Sequence, residues 1–290
     1  MNVDLHIHST FSDGSLTPQD IIAQARSLKL KAIAITDHDT LDGAMAIMGH
    51  DVPDDLHVLS GVEISSNPPE PFETSGSFHI LGYGMRRDDP DLNAALQGIR
   101  KARNERNPKI ITRLIQLGMD ITLDEVYDES GGQVVGRPHM ARVLIKKGYV
   151  STVKEAFDRF LAKGKPAYVE KHKIDCAQAL KVINQAGGIP VLAHPVSLGM
   201  GMETLEKLLL TMKRMGLKGL EVYYPDHGPE ETRAYGMLAE RMGLVMTGGS
   251  DFHGSFKSDI RMGSGKGALC VPFRVYQDIM AIIGNTSRCV

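Results

Sequence analysis

The sequence predicts an α/β fold, a barrel or sheet interrupted by a mostly helical insertion, and three patterns carry that prediction. Short apolar strands alternate with amphipathic helices over the first sixty residues, and the same rhythm returns after residue 189. Between about 91 and 171, helical periodicity replaces the strand signals. Alternation of this kind implies parallel strands joined by helical crossovers, so the two ends of the chain belong to one barrel or sheet. At 290 residues the chain is long enough to bury a full hydrophobic core.

In chain order, strands are expected at 3–8, 32–36, 58–64 and 77–82, with helices at 18–28 and 41–48. Thr17 and Pro18 mark the first helix start: a hydroxyl to cap free amides and a proline in the first turn, ahead of an apolar stripe through Ile21, Ile22, Ala25 and Leu28. The insertion should hold helices at 92–117, 140–147 and 153–162. The second half supplies strands at 189–193, 219–223, 244–247 and 268–271, and helices at 202–215, 229–242 and 274–283. Leu205, Leu208, Leu209 and Met212 fall at helical spacing, the mark of an outer helix packing inward. The expected division is 1–90 with 172–290 for the barrel and 91–171 for the insertion.

A formal net charge of −2 gives no global reason to expect duplex nucleic-acid binding, although a local phosphate pocket is compatible with it. Cys176, Cys270 and Cys289 form no CxxC pair and are too few for a disulfide framework, which fits a reducing compartment. No apolar run approaches the roughly 18 residues of a membrane span, and no basic and apolar leader precedes the first strand. The expected location is the cytoplasm, away from membranes.

His6-Ile7-His8 would project two imidazoles from one face of the first strand. Similar chemistry recurs at Asp13, Asp37-His38-Asp39, Glu63, His79, His194 and Asp251-Phe252-His253, in each case at or near a predicted strand end, where the loops of an α/β barrel gather. Six histidines and three carboxylates are too many for one tetrahedral metal. Imidazole and carboxylate without thiolate suit Mn²⁺, Fe²⁺ or Zn²⁺. The number of donors suggests two or three ions, with a carboxylate such as Glu63 between them.

In these motifs, from His6-Ile7-His8-Ser9 and Asp13-Gly14 through Ala34-Ile35-Thr36-Asp37-His38-Asp39, Gly61-Val62-Glu63, His79 and Ala193-His194-Pro195 to Gly249-Ser250-Asp251-Phe252-His253-Gly254, the chain resembles the PHP (polymerase and histidinol phosphatase) family of metal-dependent phosphoesterases. The resemblance implies a distorted (β/α)₇ barrel with a trinuclear site at the strand carboxyl ends. His6, His8, Glu63 and Asp251 would hold one ion, Asp13, His38 and His253 a second, and Glu63, His79 and His194 a third, with Mn²⁺ ahead of Fe²⁺ and Zn²⁺. Some relatives carry His where this chain has Asp13, which implies weaker affinity or a different metal preference at the second position. Closely spaced divalent ions suit phosphate ester hydrolysis: they acidify a bridging water to hydroxide, hold non-bridging oxygens and offset charge on the attacking and leaving oxygens. Residue types alone do not assign the proton donor.

In the insertion, Gly136-Arg137-Pro138-His139 precedes a helix, and Arg137 suits bidentate phosphate binding beside helix amides. Lys165 sits on a Gly-Lys-Pro turn and by residue type is equally a solvated cation. Resemblance to the PHP subgroup with such an insertion implies that it caps the site, with Arg137, His139 and Lys165 binding a phosphate remote from the one cleaved. His227, beyond the 219–223 strand, should face the same mouth, as a substrate contact or a surface residue, and Tyr223 or Tyr224 should stack on a base or pack in the barrel. The basic run 100–106 is expected to be a solvated helix face, and His50, His57 and His172 to be structural or exposed. The implied activity is release of the 3'-phosphate of nucleoside 3',5'-bisphosphates, for example 3'-phosphoadenosine 5'-phosphate to AMP. A 5'-to-3' exonuclease on short oligonucleotides ranks second, because a polymer enzyme usually shows a basic groove. A histidinol-phosphatase-like enzyme and a non-catalytic metal module are more distant alternatives.

Overall fold

The computed structural model describes residues 2–48, 52–130, 135–170 and 173–286. The predicted boundary at 171/172, together with His50, His172 and Cys289, lies outside them. Among the described residues the strands are β1 (Asn2–Ile7), β2 (Ala32–Ile35), β3 (His57–Asn67), β4 (His79–Tyr83), β5 (Ile174–Asp175), β6 (Ile189–Leu192), β7 (Gly219–Tyr223), β8 (Val245–Gly248) and β9 (Val271–Pro272). They form one sheet in the order β8-β7-β6-β4-β3-β2-β1-β9, with β5 paired to β3. Ile7 bridges to Phe252 beyond β8, which brings the two flanks together into a nearly closed barrel.

The helices are α1 (Pro18–Ser27), α2 (Asp42–Met45), α3 (Pro90–Gln116), α4 (Leu123–Glu129), α5 (Arg137–Lys146), α6 (Val153–Ala156), α7 (Cys176–Gln185), α8 (Met202–Arg214), α9 (Pro229–Met242) and α10 (Phe273–Thr286). α1 begins as its sequence predicts. The Thr17 hydroxyl accepts from the Asp20 amide, and the Asp20 side chain reaches back to the Thr17 backbone, so two orphan donors are satisfied reciprocally. No described helix is long and apolar enough to cross a membrane.

Four elements differ from expectation. β4 runs antiparallel to both its neighbours, β3 and β6. The expected strand at 268–271 is reduced to two residues, antiparallel to β1. α4 and α7 stand where the sequence reading placed no element. α7 is short, and its buried Cys176, Ala179, Leu180 and Ile183 form the one apolar stripe that declares it.

α3 joins two cores. Leu92, Leu96 and Ile99 pack with α7 and α8 residues around the barrel, whereas Ile110, Ile111 and Leu114 join a separate cluster with Val126, Met140, Leu144 and Leu161. Between these two stretches Arg103, Arg106 and Asn107 are buried, so the expectation of a solvated basic face fails for its second half. Where the two cores meet, the face of the helix that carries these residues is covered, while Asn104 and Glu105 on the other face stay exposed. Arg103 forms an ion pair with Asp39, and the two side chains are 7% and 0% exposed. Breaking a buried pair strands the remaining charge at a cost of ~3–5 kcal/mol. Arg103→Met is therefore expected to lower the thermal unfolding midpoint by roughly 5–10 °C. An unchanged midpoint in calorimetry would show that the link contributes nothing.

Candidate metal centre and cleft

All nine predicted donors converge. Three groups of side chains place one ligand atom each within 4.8 Å of one another: His8, Asp13, His38 and His253; His6, His8, Glu63 and Asp251; and His38, Glu63 and His79. Glu63 is the hub. Its carboxylate lies 3.4 Å from His6 Nε2, 3.2 Å from His8 Nε2 and 3.1 Å from His38 Nδ1. It also lies 2.6 Å from His79 Nδ1 and 2.9 Å from His194 Nε2. His194 thus stands beside the third group, 3.2 Å from His79 Nδ1.

The strands explain the convergence. Glu63 lies within β3 rather than beyond it, because β3 continues to Asn67. His79 opens β4 rather than following a strand, and the antiparallel course of β4 puts its amino end at the same mouth. Asp39, His194 and Asp251 hold left-handed φ values of 59°, 27° and 54°. Such values in non-glycine residues store strain, typically ~1–3 kcal/mol each, and persist where surrounding structure fixes them. Gly249 makes one close approach possible, since a Cβ there would lie 2.2 Å from the His6 amide nitrogen.

Four buried carboxylates outside the set of nine predicted donors fix these loops. Asp4 accepts from the Ser250 amide at 2.8 Å and the Gly263 amide at 2.7 Å, anchoring the segment that carries Asp251. Asp37 accepts from the Ser9 amide at 2.7 Å and the Ser12 hydroxyl at 2.6 Å, bracing the turn after His8. Asp39 accepts from the Ser65 amide at 2.8 Å and so ties the His38 loop to β3. Glu221 on β7 accepts from His6 Nδ1 at 2.9 Å and from the His194 amide at 2.6 Å. Burial raises the Asp4 and Asp37 carboxyls, against the opposing effect of their hydrogen bonds. The available signal was a lone acid in an apolar strand, as in Val3-Asp4-Leu5 and Leu220-Glu221-Val222.

The donor set fits divalent cations. Burial favours neutral His8, but the adjoining carboxylates of Asp251 and Glu63 outweigh it and raise the imidazole to about 9. Burial pushes His38 down to about 3, leaving a neutral ring ready to donate a lone pair. Burial also opposes ionisation of Glu63, yet His79 and His38 hold it well below the usual carboxylate range. The imidazole nitrogens His6 Nε2, His8 Nε2 and His38 Nδ1 are buried without a hydrogen-bond partner, and all three point toward Glu63. Unpartnered ring nitrogens facing shared carboxylates are what a cation cluster requires.

Above the donors lies a cleft of about 350 Å³, whose far wall includes Pro138, Val153, Phe157 and Phe256. Of the remaining sequence candidates, Arg137, His139, Lys165 and His227 are not among the residues that line it. Arg137 donates to the Leu161 carbonyl at 2.8 Å, with its guanidinium 5.5 Å from the Phe157 ring centre and 5.3 Å from that of Tyr168. His139 is buried, accepts from the Gly136 amide at 3.0 Å and meets the Phe256 ring edge-on. Lys165 is exposed on its turn. His227 is buried, donates from Nδ1 to the Val222 carbonyl at 2.8 Å and packs against Tyr235, which leaves it out of the cleft wall. Tyr224 lines the cleft and Tyr223 packs among core residues. His57 stacks on Tyr276.

The PHP domain profile matches residues 4–170. A 3',5'-nucleoside bisphosphate phosphatase of Chromobacterium violaceum is 33% identical over 253 residues, 87% of each chain. A 5'-3' exoribonuclease of Haemophilus influenzae is 33% identical over 252 residues, 86% of this chain and 89% of that one. Among solved structures, an amidohydrolase from Chromobacterium violaceum with bound sulfate and no metal superposes with a TM-score of 0.81 at 31% identity, covering 97% of both chains. Together with the barrel and its shared hub of imidazoles and carboxylates, these matches establish that the chain belongs to the PHP family and is a metal-dependent phosphoric ester hydrolase.

Proposed function

We propose that the protein removes the 3'-phosphate from nucleoside 3',5'-bisphosphates with two or three divalent ions, Mn²⁺ ahead of Fe²⁺ and Zn²⁺. The observation that carries this reading is the set of three overlapping donor groups at the base of one small cleft. Divalent ions held there supply Lewis acidity toward water and phosphate oxygens. His6, His8, Glu63 and Asp251 hold one ion. Asp13, His38 and His253, with His8 adjacent, hold a second, and Glu63 with His79 and either His38 or His194 holds the third. Glu221 fixes the His6 tautomer by accepting its Nδ1 proton, so Nε2 presents a lone pair.

The segment 91–171 acts as a cap over a barrel formed by 1–90 and 172–290. Its Pro138 and Phe157 offer an apolar surface to a nucleoside, and a cleft of about 350 Å³ suits a mononucleotide better than a polymer. Arg137, His139 and Lys165 stand on the cap side, where a second phosphate would lie. The free thiols Cys176 and Cys270 accord with the cytoplasm as its compartment. The exoribonuclease reading is kept as second because the Haemophilus influenzae enzyme matches this chain as closely as the bisphosphate phosphatase does.

Incubating Mn²⁺-loaded protein with 3'-phosphoadenosine 5'-phosphate should yield AMP and inorganic phosphate. Faster shortening of a 5'-phosphorylated short RNA would transfer the assignment to the exonuclease. Turnover of neither substrate would sink both readings.

A further inference from the structure

The motifs of the candidate metal centre leave one cation in the cleft without a role. Among the described residues lining the cleft, Lys257 is the single lysine or arginine. It ends a short 3-10 turn, Gly254–Lys257, directly after His253. The turn is held from two sides. The Ser255 amide donates to the Ser15 hydroxyl at 2.8 Å. The Phe256 ring meets His139 edge-on at 5.7 Å and lies under the Arg142 guanidinium at 4.3 Å. Lys257 is thereby placed by the barrel loop and by α5 together.

Its one partner is informative. Asp251 turns Oδ1 inward, 3.2 Å from His8 Nε2 and 3.5 Å from His253 Nδ1. Oδ2 turns outward and accepts from the Tyr224 hydroxyl at 2.9 Å and from Lys257 Nζ at 2.8 Å. An ammonium group carries three N–H donors. One goes to Asp251, and no other protein acceptor reaches the group among the described residues. The side chain is 42% exposed, so the pair adds little to stability, and Tyr224 already satisfies the same oxygen. Neutralising Asp251 does not account for a lysine here.

We infer that Lys257 binds the phosphate that is cleaved, giving its two free N–H donors to non-bridging oxygens from beside Asp251 Oδ2. The ligand class is a phosphate dianion or phosphomonoester. The inference rests on the phosphoesterase reading of this site and adds a residue that neither the His and carboxylate motifs nor the Arg137, His139 and Lys165 set contains.

Inorganic phosphate is the probe. Mn²⁺-loaded wild type, Lys257→Met and Lys257→Arg are titrated with it by calorimetry, and the metal content of each is measured by plasma mass spectrometry. Metal content should be equal in all three, phosphate affinity should fall roughly tenfold to a hundredfold in Lys257→Met, and Lys257→Arg should recover most of it by keeping the charge. Unchanged phosphate affinity in Lys257→Met overturns the inference. Weakening that tracks metal loss overturns it as well, since Lys257 would then be a positioning residue for Asp251. Hydrolysis of 3'-phosphoadenosine 5'-phosphate by the same wild-type preparation separates the two levels: normal wild-type turnover with unaffected Lys257→Met sinks the lysine alone, whereas no wild-type turnover and no phosphate binding sink the site reading itself.

Discussion

Replacing Glu63 by glutamine is expected to lower turnover about a thousandfold while the barrel stays folded. The carboxylate belongs to two of the three donor groups and lies within 3.4 Å of five imidazoles, those of His6, His8, His38, His79 and His194. Glutamine keeps the volume but removes the negative charge and one of two lone-pair-rich oxygens that neighbouring ions would share. A shared Lewis-acid centre contributes several kcal/mol to the transition state, and ~4 kcal/mol corresponds to about three decades of rate. Metal content per chain, measured beside kcat and the far-ultraviolet dichroism, checks the cause. A variant that keeps full metal content and works within tenfold of wild type contradicts the hub role of Glu63.

The second large effect belongs to a residue that touches no proposed ion. Glu221 is fully buried and holds His6 through Nδ1 and the β6 end through the His194 amide. Substitution of carboxylates that orient ligating histidines typically costs ten- to a hundredfold in metal affinity or activity. Glu221→Ala should reach the upper end of that range and also lose ~1–3 kcal/mol of stability, because it orphans two buried donors. Glu221→Gln should do less harm, since its amide oxygen can still accept from one of them. Titration of Mn²⁺ into each variant reads the effect directly. Equal Mn²⁺ affinity in Glu221→Ala and wild type would remove the positioning role.

The convergence of the nine candidates was legible because most of them sit in short motifs in or just beyond an apolar strand, where a histidine or acid stands out. The supporting acids were harder to read. Asp4 and Glu221 each occupy a single position in a buried strand, and only the fold shows that Ser250, Gly263, His6 and His194 come to meet them from up to 259 positions away in the chain. The direction of β4 was not legible for a related reason: five residues, four of them buried in a row, declare a strand but carry no direction. Arg103 and Lys257 were missed because charged residues on a helix and a turn are ordinarily solvated. Burial of Arg103 depends on two cores meeting along one helix.

That helix ties the two cores into one body. α3 contains 27 residues, a rod of about 40 Å, and one end is packed against the barrel while the other forms part of the helical cluster. The ion pair of Arg103 with Asp39 clamps it near midspan, and Pro108, the one residue that interrupts its hydrogen-bond ladder, lies beyond the clamp. The clamp fixes α3 beside the His38 loop, and the part of the helix beyond it carries the cluster of Met140 and Phe157, so a single helix spans from the donors to the apolar wall of the cleft as a tie-beam spans two walls.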